Sequence, residues 1–197
     1  MNLRKAEEFI LTKLKRDLSP TLFYHGLHHT LDVVEVVSQL AQAENVTDPD
    51  SLLLLQTAAL YHDCGFITTY QGHEAEGCRY ARETLPQFGY GAEQIEQICG
   101  MIMATKIPQS PQNLLEEILC DADLDYLGRS DFEPIANTLF EELKERNFVR
   151  DESSWNRIQV SFLGSHHYWT KTATESRQAN KQERLEVLKE IVSHYSV

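Results

Sequence analysis

Residues 58–66 read Ala58-Ala59-Leu60-Tyr61-His62-Asp63-Cys64-Gly65-Phe66, and this stretch decides the fold prediction. An apolar helical run ends at the adjacent pair His62 and Asp63, and we expect Gly65 to break the helix and turn the chain out. An imidazole and a carboxylate placed at the end of a buried helix cost several kcal/mol unless a partner satisfies them. A divalent metal ion is a suitable partner, which would require further ligands elsewhere in the chain.

The helix that carries this pair is apolar nearly all round. Asp48-Pro49-Asp50 begins it with an acidic cap and a proline in the first turn. Leu52–Leu55 and Ala58-Ala59 then leave no continuous polar face. A helix that is hydrophobic on every side belongs in the core, so we predict that this one is central.

Helical periodicity occupies the rest of the chain, and strand patterns are absent. The predicted helices cover about 2–17, 24–43, 48–63, 72–85, 91–105, 111–128, 131–146, 153–167 and 172–195. Gly77 in the fourth should allow another helix to approach closely. The prediction is all-α: a single compact helical domain over 1–197 with about eight or nine helices, a motif-bearing core at about 20–130 and C-terminal helices at about 131–197.

Helix phase selects individual histidines and aspartates. The apolar stripe of the second helix is Val33, Val36, Val37 and Leu40. Stepping back by four residues reaches His29 and then His25, whereas His28 falls on the polar face. Asp121, Asp123 and Asp125 cannot all face inward, because two residues turn a helix by about 200°. The apolar stripe there is Leu119, Cys120, Leu124 and Leu127, which makes Asp123 the inward carboxylate and leaves its two neighbours on the polar side.

Composition excludes several classes of protein. The formal charge is −12 and no Lys/Arg run is present, which argues against nonspecific nucleic-acid binding and against an anionic membrane surface. The N-terminus lacks the apolar core of a signal peptide, and no apolar run is long enough to span a bilayer. The four cysteines, Cys64, Cys78, Cys99 and Cys120, show no CxxC spacing. We therefore expect reduced thiols in a cytoplasmic protein.

His29, His62, Asp63 and Asp123 are thus the inward-facing polar groups of three core helices. Each alone has an ordinary interpretation as a satisfied core, capping or salt-bridged group. Together, two imidazoles and two carboxylates indicate a site for a divalent ion such as Mn²⁺, Fe²⁺, Co²⁺, Zn²⁺, Ni²⁺ or Mg²⁺.

The order His … His-Asp … Asp on helices resembles the HD-domain superfamily of metal-dependent phosphohydrolases, in its uncharacterised predicted branch. The matching motifs are Tyr24–Thr30 with Val33-Val34, Ala59–Gly65 and Asp121–Gly128, and the resemblance covers roughly 20–180. It implies metal ligands at His29, His62, Asp63 and Asp123, the residues that helix phase selects. It also implies that Asp63 orients or deprotonates the attacking water.

Departures from the family pattern leave the substrate open. Soon after the His-Asp pair, guanosine-tetraphosphate hydrolases carry a Glu-Asp pair and HD nucleotidases carry a Glu. Cyclic-nucleotide phosphodiesterases carry a further His in that stretch. The segment Cys64–Ile67 offers none of these. Dinuclear members add histidines. His73 is one candidate, but no histidine lies near Ala104-Thr105, so we expect one ion per chain, or a weak second site.

The remaining candidates are substrate contacts. His73 and Glu74, at a helix start, are candidates for acid/base catalysis, with capping as the alternative. The candidates for phosphate binding are Lys106, Arg79, His166 and Arg177. For Arg79 an ion pair with Glu76 is the simpler interpretation.

The predicted function is hydrolysis of a phosphoester of a nucleotide or another small phosphate, as a phosphomonoesterase or a phosphodiesterase. The alternatives are a catalytically silent HD module that binds metal or nucleotide for signalling, and a structural helical protein in which the polar groups satisfy one another. An HD oxygenase would need more histidines than the sequence offers. A homodimer is left open.

Overall fold

Nine α-helices account for most of the regular structure of residues 1–195, the residues that the computed structural model describes. They are α1 (Leu3–Asp17), α2 (Leu27–Ala43), α3 (Pro49–Tyr61), α4 (His73–Thr84), α5 (Ala92–Ala104), α6 (Leu114–Asp123), α7 (Phe132–Glu145), α8 (Glu152–Ser165) and α9 (Lys171–His194). Three 3-10 turns lie at Cys64–Ile67, Leu85–Phe88 and Asp125–Gly128. These residues contain no strand, so the all-α prediction is confirmed. None of these helices combines the length and the apolar character needed to cross a bilayer.

The chain divides into two compact units. The first comprises Met1–Pro20 and His25–Asp123, and the second comprises Thr21–Tyr24 and the chain from Leu124 onward. In the second unit, the backbone N–H of Tyr24 donates to a carboxylate oxygen of buried Glu142 at 2.9 Å. The prediction of a single domain over the whole chain stays a prediction.

In the first unit, α3 is the central helix, as its uniform hydrophobicity predicts. It packs against α1, α2, α4, α5 and α6. The Asp48 carboxylate caps its start by accepting from the backbone N–H of Ser51 at 2.8 Å. The buried hydroxyl of Thr57 donates to the carbonyl of Leu53 at 2.7 Å and lies 2.8 Å from the Tyr90 hydroxyl. The core therefore surrounds the helix that ends at the His-Asp pair.

Gly65 has a role that differs from the predicted one. The chain does not turn outward after Asp63 but continues as the buried 3-10 turn Cys64–Ile67. A Cβ on Gly65 would lie 1.9 Å from the carbonyl oxygen of His73 and 2.9 Å from the backbone nitrogen of Gly77. The start of α4 therefore lies directly against the chain that follows Asp63. Gly77 permits the same approach, since its Cβ would lie 3.2 Å from the Tyr61 carbonyl oxygen, which confirms the predicted close contact.

The prediction that Asp121 and Asp125 lie on a polar side is wrong. Both are buried, with 0 % and 2 % of their surface exposed. Asp121 is covered because α6 packs against α2, α3 and α5 at once, which leaves it little polar face. For Asp125 the phase argument fails because α6 ends at Asp123 and the chain passes into a 3-10 turn. Asp125 is instead paired with Arg177 at 2.7 Å in the second unit.

We expect Gly65→Ala to destabilise the protein, because backbone atoms of α4 occupy the space of the added methyl group. The free energy of unfolding should fall by about 3 kcal/mol, or about 6–12 °C in Tm for a chain of this size. Thermal unfolding followed by circular dichroism measures this. The matched control is Gly164→Ala in α8, where the new Cβ meets only Leu185 Cδ2 at 4.0 Å. The control should leave the free energy of unfolding unchanged or raise it. If both variants had the Tm of wild type, the close contact between Gly65 and the start of α4 would be refuted.

Candidate metal centre

His62 and Asp63 lie where α3 gives way to the 3-10 turn. His62 is fully buried, and its Nδ1 lies 2.7 Å from the carbonyl oxygen of Ala59. This distance assigns the donating proton to Nδ1, because a carbonyl can only accept. The backbone contact thereby fixes the ring and directs Nε2 away from the helix, which is how ligating histidines are held in metal sites.

His29 comes from the first turn of α2. It is buried, whereas His28 beside it is exposed, as helix phase predicts. The Nε2 atoms of His29 and His62 face each other at 3.4 Å. Asp123 reaches the same point from the end of α6, with its Oδ1 3.1 Å from His29 Nε2 and 3.6 Å from His62 Nε2.

These three distances suit a shared ion. Ligands at about 2.0–2.2 Å from an ion, at angles of 90–110°, lie about 2.8–3.6 Å from one another. The atoms of His29, His62 and Asp123 form a triangle with sides of 3.1, 3.4 and 3.6 Å. Two nitrogen donors and one carboxylate oxygen are thus spaced to hold a divalent metal ion.

Asp63 adds a fourth donor atom to the group. Its Oδ2 lies 3.2 Å from His62 Nε2 and 3.5 Å from His29 Nε2. This oxygen is buried, yet it makes no hydrogen bond. A buried carboxylate oxygen without a hydrogen bond is costly, and an ion among the four side chains would satisfy it.

The electrostatics of the cluster also favour a cation. Burial acts to raise the pKa of Asp63, but the charge of the neighbouring His62 holds that pKa well below the usual range. Burial likewise opposes ionisation of Asp123, but hydrogen bonds to His29 and His62 lower its pKa to about 2. For His62, burial acts to lower the pKa, and Asp63 and Asp123 raise it well above the ordinary value. The site thus contains two ionised carboxylates that need positive charge.

His73 and Glu74, at the first turn of α4, lie beside the cluster. His73 Nε2 is 3.4 Å from Asp63 Oδ1 and 3.7 Å from Glu74 Oε1. Its Nδ1 lies 3.3 Å from the carbonyl oxygen of Tyr70, and Glu74 is buried. Burial acts to lower the pKa of His73, but the hydrogen bond and charge of Asp63 raise it. The two oxygens of Asp63 thus face different groups, Oδ2 the imidazole pair and Oδ1 His73.

A stack of three rings, which the sequence does not reveal, holds His73. Phe66 lies between His25 and His73, with centroid distances of 4.2 and 3.9 Å and interplanar angles of 29° and 19°. His25 also faces His29 edge-on at 6.1 Å. The available signals were the aromatic residue directly after Gly65 and the helix phase of His25. No periodicity relates three segments this far apart in the chain.

The four residues predicted to bind phosphate do not join this cluster. Arg79 is exposed and pairs with Glu76 at 2.9 Å and with Glu83, which favours the ion-pair interpretation. Lys106 is exposed beyond the end of α5. His166 and Arg177 belong to the second unit. His166 Nδ1 lies 3.1 Å from the Nζ of Lys181, and Arg177 donates to Asp125. Contact of these four with substrate stays a prediction.

Comparison with known proteins assigns the chain to a family. The model of the HD domain family matches residues 26–125, just over half of the chain. A crystal structure of a predicted HD superfamily hydrolase from an uncultured Thermotogales bacterium is 23 % identical, with a TM-score of 0.60, over 98 % of this chain and 92 % of that one. Bacillus subtilis YpgQ in complex with ADP is 20 % identical, with a TM-score of 0.66, over 98 % and 97 %. These two likenesses show the fold, and no curated protein matches the sequence. The matched segment contains His29, His62, Asp63 and Asp123, and the chain belongs to the HD domain family.

Proposed function

We propose that this protein is a metal-dependent phosphohydrolase that cleaves a phosphoester of a nucleotide or another small phosphate with a metal-activated water. The observation that carries the proposal is the convergence of four donor atoms, from His29, His62, Asp63 and Asp123, with half-buried His73 next to Asp63 Oδ1. A purely structural cluster would leave Asp63 Oδ2 without a hydrogen bond.

The chain's own residues divide the work between holding an ion and moving protons. The imidazoles of His29 and His62, with Asp123 and Asp63 Oδ2, would hold the ion. A divalent ion bound there supplies Lewis acidity, lowering the pKa of a bound water and polarising a phosphoryl oxygen. Asp63 Oδ1 points the other way, where it can orient that water or accept its proton.

His73 and Glu74 are our candidates for general acid/base catalysis. His73 Nε2 lies within 3.7 Å of a carboxylate oxygen of each of Asp63 and Glu74, so a proton can be held between them. The HD nucleotidases place a glutamate three residues after the aspartate of the motif, where this chain has Phe66. We infer that Glu74, brought to Asp63 by the close packing at Gly65, takes that place.

The proposed substrate class has one support outside the chain. The similar Bacillus subtilis protein YpgQ was crystallised with ADP. In this protein, the overall charge of −12 opposes an anionic substrate. Locally, a divalent ion together with His73, whose pKa is raised by Asp63, would offset the charge of the carboxylates. A nucleotide or a small phosphoester is therefore the class to test first.

One alternative has a specific observation in its favour. The segment Cys64–Ile67 contains no acidic residue and no histidine, so a catalytically silent HD module that binds metal and nucleotide for signalling is the second candidate. Such a module would bind both without turnover. A screen of nucleotides, cyclic nucleotides and generic phosphoesters against several divalent ions separates the two.

We expect His62→Ala to abolish tight metal binding, since its Nε2 lies 3.2–3.6 Å from three other candidate donor atoms. Loss of a supporting group around a metal costs about 10–100-fold in affinity, so loss of a ligand should cost at least about 100-fold. Isothermal titration with Mn²⁺, Co²⁺ and Zn²⁺ measures it. His28→Ala, an exposed neighbour of His29, is the control and should bind as wild type does. Equal metal affinity in wild type and both variants would show that the ion does not bind at His62.

We expect His73→Gln to separate catalysis from metal binding. The amide cannot relay a proton, so turnover should fall by about 10²–10⁴-fold, while metal affinity should remain close to wild type because the four donor atoms are untouched. Initial rates on the best substrate of the screen, with metal affinity measured in parallel, provide the test. Turnover equal to that of wild type would exclude His73 from catalysis.

Arg79→Ala serves as the control on the same helix, because its guanidinium is paired with Glu76 and Glu83 on the surface. We expect unchanged kcat and KM, since exposed ion pairs contribute little. A marked rise in KM would instead restore Arg79 as a phosphate contact.

A further inference from the structure

The second unit contains a groove of about 940 Å³ between α7, α8 and α9. None of the residues that line it belongs to the candidate metal centre. Asn180 and Ile191 mark its extent along α9, eleven residues apart, which is about 16 Å of helix. A long groove walled by helices suits an elongated ligand such as a peptide helix.

The floor of the groove is aromatic. Phe132 and Trp155 are both buried, and the ring of Phe140 lies against Trp155 with a centroid distance of 6.0 Å and an interplanar angle of 22°. Asn156 and Gln159 add buried amides that bond each other at 3.1 Å. Such a floor, mostly apolar with a few fixed polar groups, is typical of a binding site.

One wall exposes apolar side chains. Val187 and Ile191 lie four residues apart on α9, so they share a face, and 53 % and 38 % of their surfaces are exposed. Apolar side chains that line a groove together, rather than being scattered singly over the surface, indicate a contact with another molecule. The groove therefore offers an apolar wall as well as an apolar floor.

Acidic side chains outnumber basic ones around the rim of the groove. It carries Glu133 and Glu141 from α7, Glu152 from α8 and Glu183 from α9, and none of these four makes an ion pair with the described residues. The cation that lines the groove in this part of the chain, Arg184, already donates to the carbonyl oxygens of Leu127 and Arg129. Four carboxylates and one guanidinium leave the groove with a net charge of about −3, which any ligand that enters would meet.

We propose that this groove binds a basic amphipathic helix of a partner protein. Apolar side chains spaced at i, i+3 and i+4 would lie over Phe132 and Trp155 and against Val187 and Ile191. Lysine and arginine side chains on the flanks would pair with the four rim glutamates. An anionic peptide or an anionic membrane surface would be repelled by the same charges.

A second copy of this chain is a poorer occupant. Two identical grooves facing each other would oppose their glutamates in a chain that already carries a charge of −12. The helix α1 holds five basic residues, but its apolar residues Ala6, Ile10 and Leu14 are already buried in the first unit. Basic charge and a free apolar face are therefore not combined on α1.

Trp155 provides a direct reporter of the groove. The chain has two tryptophans, so Trp169→Phe leaves Trp155 as the only one. The probe is a synthetic 14-residue helical peptide of Leu and Lys, compared with the same peptide carrying Glu for Lys. We expect the Lys peptide to shift Trp155 emission saturably, more weakly at high salt, and the Glu peptide to leave it unchanged. Equal binding of both peptides, or of neither, overturns the proposal.

A matched pair of double variants tests the location. Glu141→Gln with Glu183→Gln removes two rim charges, and Glu145→Gln with Glu190→Gln removes two exposed charges from the same helices outside the groove. We expect Lys-peptide affinity to fall about tenfold or more in the first variant and much less in the second. Equal loss in both would mean nonspecific attraction and would overturn the proposal.

Val187→Ser with Ile191→Ser tests the apolar wall and should also weaken Lys-peptide binding about tenfold, with the circular dichroism spectrum unchanged. Unaltered affinity would contradict the proposed pose. Sedimentation analysis is run on the same proteins. A dimer that this double variant dissociates, with no peptide binding by wild type, would make a second copy the occupant and overturn the proposal.

Discussion

The meeting of two carboxylates, buried Asp63 and half-buried Asp123, at one point of the core is the constraint on which the first unit depends. Asp63 and Asp123 arrive from the ends of α3 and α6, where His29 and His62 face both of them within 3.6 Å. Removing two ionised carboxylates from water costs many kcal/mol unless positive charge accompanies them. Protonated imidazoles or a bound cation can provide it. A cation between the four side chains would in addition give a ligand contact to Asp63 Oδ2, which makes no hydrogen bond.

A second constraint, the contact of α4 with the chain after Asp63, turns this charge cluster into a candidate catalytic site. Because Gly65 and Gly77 have no side chains, backbone lies against backbone at this point. That contact brings His73 to Oδ1 of Asp63, with Glu74 beside His73, and Phe66 stacks against the His73 ring. Packing, rather than the spacing of residues along the chain, therefore determines which groups face the ion site.

Helix phase predicted the cluster well because it depends on local geometry. The apolar stripe of α2 separated His29 from His28, and the uniform apolar character of α3 placed its C-terminal end in the core. The same reasoning failed for Asp121 and Asp125, because it assumed one continuous helix with a polar side. Helix phase could not predict the stacking of His25, Phe66 and His73, because stacking depends on how separate segments of the chain meet. The groove of the second unit also requires tertiary structure, because α7, α8 and α9 each look like ordinary surface helices in sequence.

The central claim is that His29, His62, Asp63 and Asp123 together bind one divalent ion. The most direct measurement is a crystal structure of the protein grown with Mn²⁺, with anomalous scattering recorded to locate the ion. We predict one anomalous peak at about 2.0–2.3 Å from His29 Nε2, His62 Nε2, Asp63 Oδ2 and an oxygen of Asp123. A map with no peak among these four side chains, at saturating Mn²⁺, would contradict the account.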